Sequence, residues 1–483
     1  MQSYLIKYKN SVLSLSSICL LLLSSGCAQT SEVPAGTVIN NASYTGAYQS
    51  KWDDSYNFFV IERDKKLYVK NTWGVTEIEL DDSYEFFEEE WGVTGQFDDY
   101  KNGQFQGYTG TVDGQSYAYK RVDIDTEHST YLFDKSGTFN NFSEAESAGC
   151  DSDYSLDSLA ANSKLPEKIE ELIDQVRSKK YSWAEQDSLL VYKDNKLVVE
   201  EYFNGYTRHE PHSLASVSKS LTSLLVGSLV SEGKISDINL PMATYLPEYK
   251  LLFTGDKANI TFANFMNMSA GIEWDRYTLP FSDPNNVFKK WELAEDKTKF
   301  TLSRKMQYKP GERFVYSNGG TSVIGAAVEH IAEQNVAEYA LQSPLSSLCF
   351  KNAFWAKDAN GRTSVAGGAM MRPMDMLKLG QLMLDKGKWQ GQQIIDKQWV
   401  NDSLDKKVNP YNSEYGLFWW RDDVFVFDNG ELYPIVRAEG WAGQEILIIE
   451  QLNLVVVVTS SNGAAAAKGK EMLREFIIPA FVG

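Results

Sequence analysis

Residues 212–233, HSLASVSKSLTSLLVGSLVSEG, constrain the fold more than any other stretch of the chain. Leucines and valines recur there at helical spacing, which predicts an amphipathic helix that packs into a core. Ser216 and Lys219 are three residues apart in its first turns, on or beside the apolar face. Burying a lysine is costly unless the charge is compensated or removed. This placement therefore indicates a functional pair.

The chemistry of this pair indicates nucleophilic catalysis. A serine hydroxyl attacks a carbonyl only when a base takes its proton, and burial lowers the pKa of a lysine enough for it to be that base. The alternative is a chance match, because Ser403 and Lys406 show the same spacing. That second pair lies in a polar, charged stretch where the lysine can be solvated. The apolar context of the first pair favours catalysis through Ser216 and Lys219.

A tyrosine that passes protons would complete such a site. Tyr-x-Asn occurs four times in the chain. The copy at Tyr316 and Asn318 follows a turn and a short strand and precedes glycines and an apolar helix, as expected of a loop that presents side chains. The other copies begin in a basic leader, in a hairpin turn and at the end of a strand, and they begin at Tyr8, Tyr100 and Tyr202.

The second half of the chain predicts an α+β fold. A strand hairpin is expected over residues 188–203, a second strand pair over residues 445–461 and a closing helix over residues 464–482. A helix over residues 165–179 has acidic residues early and basic residues late, in accord with the helix dipole. Strands near both ends of this region predict one sheet completed by both, with a mostly helical insert between them.

Five blocks in this half resemble the penicillin-recognising serine hydrolases, in the same order and at similar spacing. They read SLASVSKSLTSLLVGSLVSEG, ITFANFMNMSAGIEW, YKPGERFVYSNGG, AGGAMMRPMDMLKLGQLMLDKGKWQGQQIIDKQWV and YGLFWW. The resemblance covers residues 165–482 and is nearest to the class C β-lactamase-like branch, which includes esterases and 6-aminohexanoate-dimer hydrolases. It implies a β-lactamase/transpeptidase-like domain: an antiparallel sheet with helices and a helical insert.

The resemblance also implies roles for the candidate residues. Ser216 would form an acyl-enzyme, and its backbone N–H would supply half of an oxyanion hole. Lys219 and Tyr316 would share the proton transfers, in an order that the sequence leaves open. Asn318 would orient Lys219 or the substrate.

One motif of these relatives, Lys-Thr-Gly or Lys-Ser-Gly, is missing at its expected place. Lys135-Ser136-Gly137 precedes Ser216 by about 80 residues, in a polar segment, and is interpreted as a chance match. Before the last strand pair stands GWAGQ instead, with Trp441 in the position of the lysine. Gly443 would allow close strand approach, and the backbone N–H of Gln444 is the candidate second oxyanion donor.

The tryptophan changes the expected substrate. Trp441 cannot pair with a substrate carboxylate, which forfeits about 1.5–3 kcal/mol of charge-assisted hydrogen bonding. The sequence thus favours uncharged esters or amides over penicillins, unless Trp441 simply packs under the strand. Trp274, Trp419 and Trp420 are candidates for an acyl pocket, with structural packing as the alternative.

The rest of the chain divides into further segments. Residues 1–26 have the layout of a signal peptide, and Cys27 after LLLSSG resembles a lipidation site; an ordinary cleaved signal peptide is the alternative. Residues 27–43 are a predicted linker. Residues 44–123 alternate like short strands and predict a small antiparallel β-barrel-like accessory domain, similar to lipocalin-like domains of some serine hydrolases. Residues 124–163 are a predicted linker or wrapping segment, and residues 164–483 form the hydrolase domain.

Charge and cysteine content limit the partners. A net charge of −18 argues against nucleic acid and against polybasic attachment to anionic lipid. The expected location is the periplasm, on the outer membrane through a lipid on Cys27 alone. A disulfide between Cys150 and Cys349 is compatible with that compartment. No metal or cofactor is expected, and the expected partner is a small-molecule ester or amide. The rival functions are a cell-wall D-peptidase or weak β-lactamase and a non-catalytic surface binding protein.

Overall fold

A computed structural model describes most of the chain beyond the predicted leader. The described residues are 33–34, 37, 39–50, 57–63, 65–71, 74–81, 83–88, 93–112, 115–122, 153–178, 183, 185–204, 206–280, 283–351, 353–357, 361–404, 414–461 and 467–483. The predicted signal peptide, Cys27, Lys135-Ser136-Gly137 and Cys150 lie outside these ranges. Within them, no helix combines the length and apolar character needed to cross a membrane.

The first sheet is formed by eight strands in the region predicted as a small β-domain. They are β1 (Gly46–Ser50), β2 (Asn57–Arg63), β3 (Lys66–Asn71), β4 (Gly74–Ile78), β5 (Glu85–Glu88), β6 (Val93–Lys101), β7 (Gln104–Val112) and β8 (Gln115–Val122). Their order is β4-β3-β2-β1-β8-β7-β6-β5, so chain neighbours pair antiparallel within β1 to β4 and within β5 to β8. β1 pairs with β8, and β4 and β5 stand at the two ends of the order. This is an up-and-down arrangement.

Aromatic side chains fill the core of this first sheet. They include Tyr44, Tyr48, Phe86, Phe97, Phe105 and Tyr108. The rings of Tyr44 and Phe105 stack with centroids 4.9 Å apart, and the hydroxyl of Tyr48 donates to the carbonyl of Tyr44 at 2.8 Å. The described interior is therefore packed by the domain's own side chains.

The remaining strands and helices belong to the region predicted as the hydrolase domain. The strands are β9 (Gln186–Lys193), β10 (Lys196–Tyr202), β11 (His212–Ser213), β12 (Phe354–Trp355), β13 (Ala369–Met371), β14 (Lys388–Trp389), β15 (Gln392–Gln393), β16 (Glu414–Tyr415), β17 (Trp420–Val426), β18 (Glu431–Gly440), β19 (Gln444–Ile449) and β20 (Leu454–Ser460). The helices are α1 (Leu159–Asn162), α2 (Pro166–Arg177), α3 (Val217–Ser231), α4 (Phe262–Met266), α5 (Val287–Glu292), α6 (Lys297–Ser303), α7 (Asn318–Ala332), α8 (Val336–Gln342), α9 (Pro373–Leu384), α10 (Lys397–Leu404), α11 (Gly469–Met472) and α12 (Ile478–Val482).

A seven-stranded antiparallel sheet organises this second region, in the order β10-β9-β20-β19-β18-β17-β16. β9 pairs with β20, so the hairpin from the start of the region and the strand pair from its end join as predicted. One face of the sheet packs in the large core that contains α3, α7 and α9. The other face packs against α2 and the C-terminal helices α11 and α12, which a π-helical segment, Leu473–Ile477, connects. The α+β fold is confirmed.

A buried cluster of charges fastens the segment that precedes the hydrolase region. Asp153 accepts hydrogen bonds from Arg372 at 3.0 and 3.1 Å and forms an ion pair with Lys378 at 3.1 Å. Asp375 lies between the same two cations, 2.8 Å from Arg372 and 2.9 Å from Lys378, and is fully buried. Cys349, whose carbonyl accepts from Lys378 at 3.0 Å, is disulfide-bonded. The segment that begins at Asp153 is thus held by ionic contacts in the core.

Candidate active site

The nucleophile lies in a tight turn between β11 and α3. The N–H of Leu214 donates to the carbonyl of Ala369 at 2.8 Å, which fixes this turn to β13. Ala215 has a φ of +43°, a left-handed conformation that costs free energy in a residue with a Cβ. Ser216 follows at the N-cap of α3, with its hydroxyl directed to the side chain of Lys219. The strained turn thus presents Ser216 at the start of a buried helix.

Lys219 is a buried lysine whose amine contacts the nucleophile. Its side chain is 1% exposed. The Nζ atom lies 3.0 Å from Ser216 Oγ and 2.6 Å from the carbonyl oxygen of Ala366, to which it donates. Burial, and secondly the positive charge of Arg276, hold the pKa of Lys219 well below its usual value. The lysine predicted from sequence therefore has the position and the environment of a general base.

Tyr316 lies on the other side of the amine, immediately before α7. Its ring centroid is 5.0 Å from Lys219 Nζ, and its ring stacks on Trp420 with centroids 6.2 Å apart. Burial raises the pKa of Tyr316 to about 12, although a hydrogen bond with Ser216 and the charge of Arg276 act to lower it. The structure brings the three predicted site residues, Ser216, Lys219 and Tyr316, close together.

Asn318 is held at the edge of this group by an arginine. The helix α7 starts cleanly because the hydroxyl of Ser317 accepts the N–H of Gly320 at 3.0 Å. Asn318, in the first turn, is buried and its side-chain oxygen accepts a hydrogen bond from Arg276 Nη1 at 2.9 Å. Arg276 was not predicted from the sequence, since it stands in an irregular loop with no periodic signal.

The end of β18 approaches the nucleophile turn closely. A Cβ on Gly440 would lie 2.4 Å from the carbonyl oxygen of Leu214, so only glycine fits there without a shift. Gly443 has a φ of +88°, and a Cβ there would come within 3.0 Å of Ser460, which agrees with the predicted close strand approach. The contact with the nucleophile turn is made by Gly440, a residue whose role the sequence did not single out.

Trp441 and Gln444, both predicted to contribute to the site, differ in their exposure to solvent. Trp441 keeps 37% of its surface exposed, so it does not simply pack beneath the strand. The side chain of Gln444 is buried, and its oxygen accepts the N–H of Ser460 at 3.4 Å while its amide donates to the Ser460 carbonyl. The side chain of Gln444 thus anchors the turn to β20. Its backbone N–H remains a predicted oxyanion donor.

The three tryptophans that are candidates for an acyl pocket also differ in their burial. Trp419 is fully buried, and Trp274 is 4% exposed and packs edge-on against Trp291, with ring centroids 6.1 Å apart. These two are core residues, which favours the packing alternative. Trp420 is partly exposed and stacks on Tyr316, so it is the one of the three that borders the site.

In the second Ser-x-x-Lys sequence, the serine has a structural role. Ser403 is buried in α10, and its hydroxyl donates to the carbonyl of Trp399 at 2.8 Å. Lys406 lies outside the described residues. Across the ranges that the structure covers, no group of three or more His, Cys, Asp or Glu side chains is arranged to hold a metal.

The fold and the triplet of Ser216, Lys219 and Tyr316 define a Ser-x-x-Lys site at the start of a helix that packs on an antiparallel sheet. The family profile described as Beta-lactamase matches residues 181–475, more than half of the chain. The chain therefore belongs to the Beta-lactamase family.

The individual relatives share low sequence identity with this chain. The 6-aminohexanoate-dimer hydrolase of Paenarthrobacter ureafaciens is 27% identical over 229 residues, which cover 45% of this chain and 57% of that protein. Protein flp of Staphylococcus aureus strain MRSA252 is 24% identical over 182 residues, 36% of this chain and 35% of its own length. The chain thus spans about a third to just over half of these relatives. A structure assigned as a 6-aminohexanoate-dimer hydrolase from Bacillus anthracis superposes with a TM-score of 0.54 at 21% identity, covering 74% of this chain and 94% of that one.

Proposed function

We propose that this protein is a serine hydrolase that cleaves small ester or amide bonds through an acyl-enzyme on Ser216. The observation that carries the proposal is the buried amine of Lys219, 3.0 Å from Ser216 Oγ. Membership of the Beta-lactamase family supports it, and so does the similarity to a relative described as a 6-aminohexanoate-dimer hydrolase.

The proposed reaction has two halves. In the first, Ser216 gives its proton to the Lys219–Tyr316 pair and attacks the carbonyl carbon. The tetrahedral oxyanion is bound by the N–H of Ser216 and a backbone N–H of the turn after Gly440, with Gln444 the predicted donor. The bond to the leaving group breaks as that group takes a proton. In the second half, water gives a proton to the same two groups as it attacks the acyl carbon. The bond between that carbon and Ser216 Oγ then breaks as Oγ takes this proton, and the acid is released.

A cell-wall D-peptidase or weak β-lactamase is the alternative within the family. The exposed indole of Trp441, in the position where these relatives carry a lysine, argues against it. An indole offers one N–H and an apolar face and cannot form the ion pair that a lysine makes with a β-lactam carboxylate. The strand therefore lacks the cation that these relatives use to hold the carboxylate of a penicillin.

A fluorophosphonate probe tests the proposal, because it labels an activated serine covalently. The wild type should be labelled at Ser216, and Ser216→Ala should abolish both labelling and hydrolysis of 4-nitrophenyl esters and short amides. Ser403→Ala is the matched control, since this buried serine also precedes a lysine by three positions. Folded wild-type protein that leaves Ser216 unlabelled and cleaves no ester or amide would refute the proposal.

The cellular location is a separate part of the proposal. The leader over residues 1–26 and the lipobox-like Cys27 support export and lipid anchoring in the periplasm, on the outer membrane. Metabolic labelling with an alkyne fatty acid should modify the wild type and spare Cys27→Ser. Equal labelling of the two, or retention of an uncleaved leader, would contradict lipid anchoring.

A further inference from the structure

Arg276 brings a cationic side chain into the site from the helical insert. Its Nη1 atom donates to the side-chain oxygen of Asn318 at 2.9 Å, and Asn318 is the second residue after Tyr316. The guanidinium carbon also lies 4.8 Å from the ring centroid of Phe288 and 5.2 Å from that of Tyr277. These contacts hold the guanidinium beside the catalytic group.

The loop that carries Arg276 is itself well anchored. Asn286 is fully buried, and its amide donates to the carbonyls of Arg276, Leu279 and Pro280 at 3.0, 2.7 and 3.1 Å. The two amide hydrogens of this buried side chain, shared among three carbonyls, fix the course of residues 276–280. The position of the arginine is therefore built into the fold, as a recognition residue requires.

The positive charge of Arg276 acts on both Lys219 and Tyr316. It acts to lower the pKa of Lys219 and the pKa of Tyr316. A guanidinium is permanently charged and presents five N–H donors in a planar fork that matches a carboxylate in two parallel hydrogen bonds. Trp441 stands where these relatives carry a lysine on the strand, so a cationic side chain beside Asn318 comes from the insert instead.

We propose that Arg276 binds a carboxylate of the substrate, so that the preferred esters or amides carry a free carboxylate near the scissile bond. This inference rests on the proposed hydrolase function and names its substrate class. It replaces the expectation of uncharged substrates, which considered only the strand that ends at Trp441.

Two pairs of synthetic esters test the proposal and separate the two ends of the substrate. On the acyl side, 4-nitrophenyl hydrogen glutarate is compared with its neutral methyl ester. On the leaving-group side, 4-acetoxybenzoate is compared with methyl 4-acetoxybenzoate. In Arg276→Gln, the ratio of kcat/KM for the anionic to the neutral member should fall about tenfold to a hundredfold in at least one pair. Arg276→Lys should recover part of that ratio, since it restores the charge without the fork.

The ratio isolates substrate binding from the effect of Arg276 on Lys219, which acts on both members of a pair. Arg177→Gln, which removes an exposed arginine of α2 that pairs with Glu201, should leave the ratio unchanged. If wild-type protein cleaves the neutral esters and Arg276→Gln keeps the wild-type ratio in both pairs, the carboxylate proposal is wrong while the hydrolase proposal stands.

A binding measurement distinguishes the two proposals when no ester is cleaved. Calorimetric titration of Ser216→Ala with monomethyl glutarate and dimethyl glutarate should show tighter binding of the acid, and this preference should disappear when Arg276→Gln is added. Such a preference supports the carboxylate site even in a protein that the fluorophosphonate fails to label. Equal binding of the two compounds would overturn it.

Discussion

The substitution Lys219→Met tests whether the buried lysine is neutral in the folded protein. Methionine has a similar length and no charge, so it can occupy the same space in the core. The change removes two contacts of the amine, one with Ser216 Oγ at 3.0 Å and one with the Ala366 carbonyl at 2.6 Å. It also removes a group whose pKa is well below its usual 10.5.

These two losses have different dependence on pH. The hydrogen bonds are worth about 0.5–1.5 kcal/mol each, and their loss destabilises the variant by a roughly constant amount. The pKa shift acts differently, because the unfolded lysine binds a proton that the folded one does not. Where two states differ by one proton, the free energy of unfolding changes by about 1.4 kcal/mol per pH unit. Relative to Lys219→Met, the wild type should gain stability as the pH rises from the folded pKa toward 10.5.

Urea unfolding at pH 7, 8, 9 and 10 measures this difference. The unfolding free energy of the wild type minus that of Lys219→Met should increase with pH, with a slope of at most about 1.4 kcal/mol per unit. Lys305→Met supplies the baseline, because this lysine is 75% exposed and pairs with Glu273 at the surface. The activity of folded Lys219→Met should be lower by about 10²–10⁴-fold.

A flat difference between the wild type and Lys219→Met would refute the reasoning. A difference that grows toward low pH would also refute it, since that is the sign of a protonated lysine stabilised by the fold. In either case the amine could not accept the proton of Ser216 without first losing its own.

Two further substitutions test the turn and the anchoring cluster. Gly440→Ala should lower kcat at least tenfold in the ester assay, because the new Cβ would lie 2.4 Å from the Leu214 carbonyl oxygen. Gly367→Ala is the control and should leave kcat nearly unchanged, because its Cβ would lie an ordinary 3.8 Å from Ala215. Equal effects of the two substitutions would contradict the packing argument. Asp375→Asn should lower the free energy of unfolding, measured in urea, by about 3–5 kcal/mol, because it removes the charge of one partner in a buried ion network. The activity of the folded fraction should be retained. A change below about 1 kcal/mol would show that the network contributes little.

The parts of the site that the sequence predicted are those encoded locally. Ser216 and Lys219 are neighbours because both lie on one helical turn, and their spacing alone determines this. Tyr316 was placed by its loop and by the order of the blocks around it. The sheet followed from two strand hairpins with continuous apolar runs, so its completion by β9 and β20 was predictable.

The rest depends on contacts between distant parts of the chain. Arg276 is 57 residues from Lys219 and lies in a loop whose course is fixed by the amide of Asn286. No periodicity signals such a contact. The carbonyl of Ala366, which accepts a hydrogen bond from Lys219, is a backbone group, so the residue type at this position does not indicate the contact. Trp419, which is buried, precedes β17 directly, and Trp420, which borders the site, is the first residue of β17. Their residue types are the same, so the sequence alone does not distinguish them.

The opposite effects of burial on Lys219 and Tyr316 bear on the order of proton transfer, which the sequence left open. Burial disfavours charge, so it lowers the pKa of Lys219 and raises that of Tyr316 to about 12. These shifts favour the neutral amine over the ammonium at Lys219 and the neutral phenol over the phenolate at Tyr316. A phenol cannot accept the proton of Ser216 until it has lost its own, whereas the amine can. We therefore propose that Lys219 takes the first proton and that Tyr316, whose hydroxyl hydrogen-bonds Ser216, passes a proton to the leaving group and regains one from Lys219.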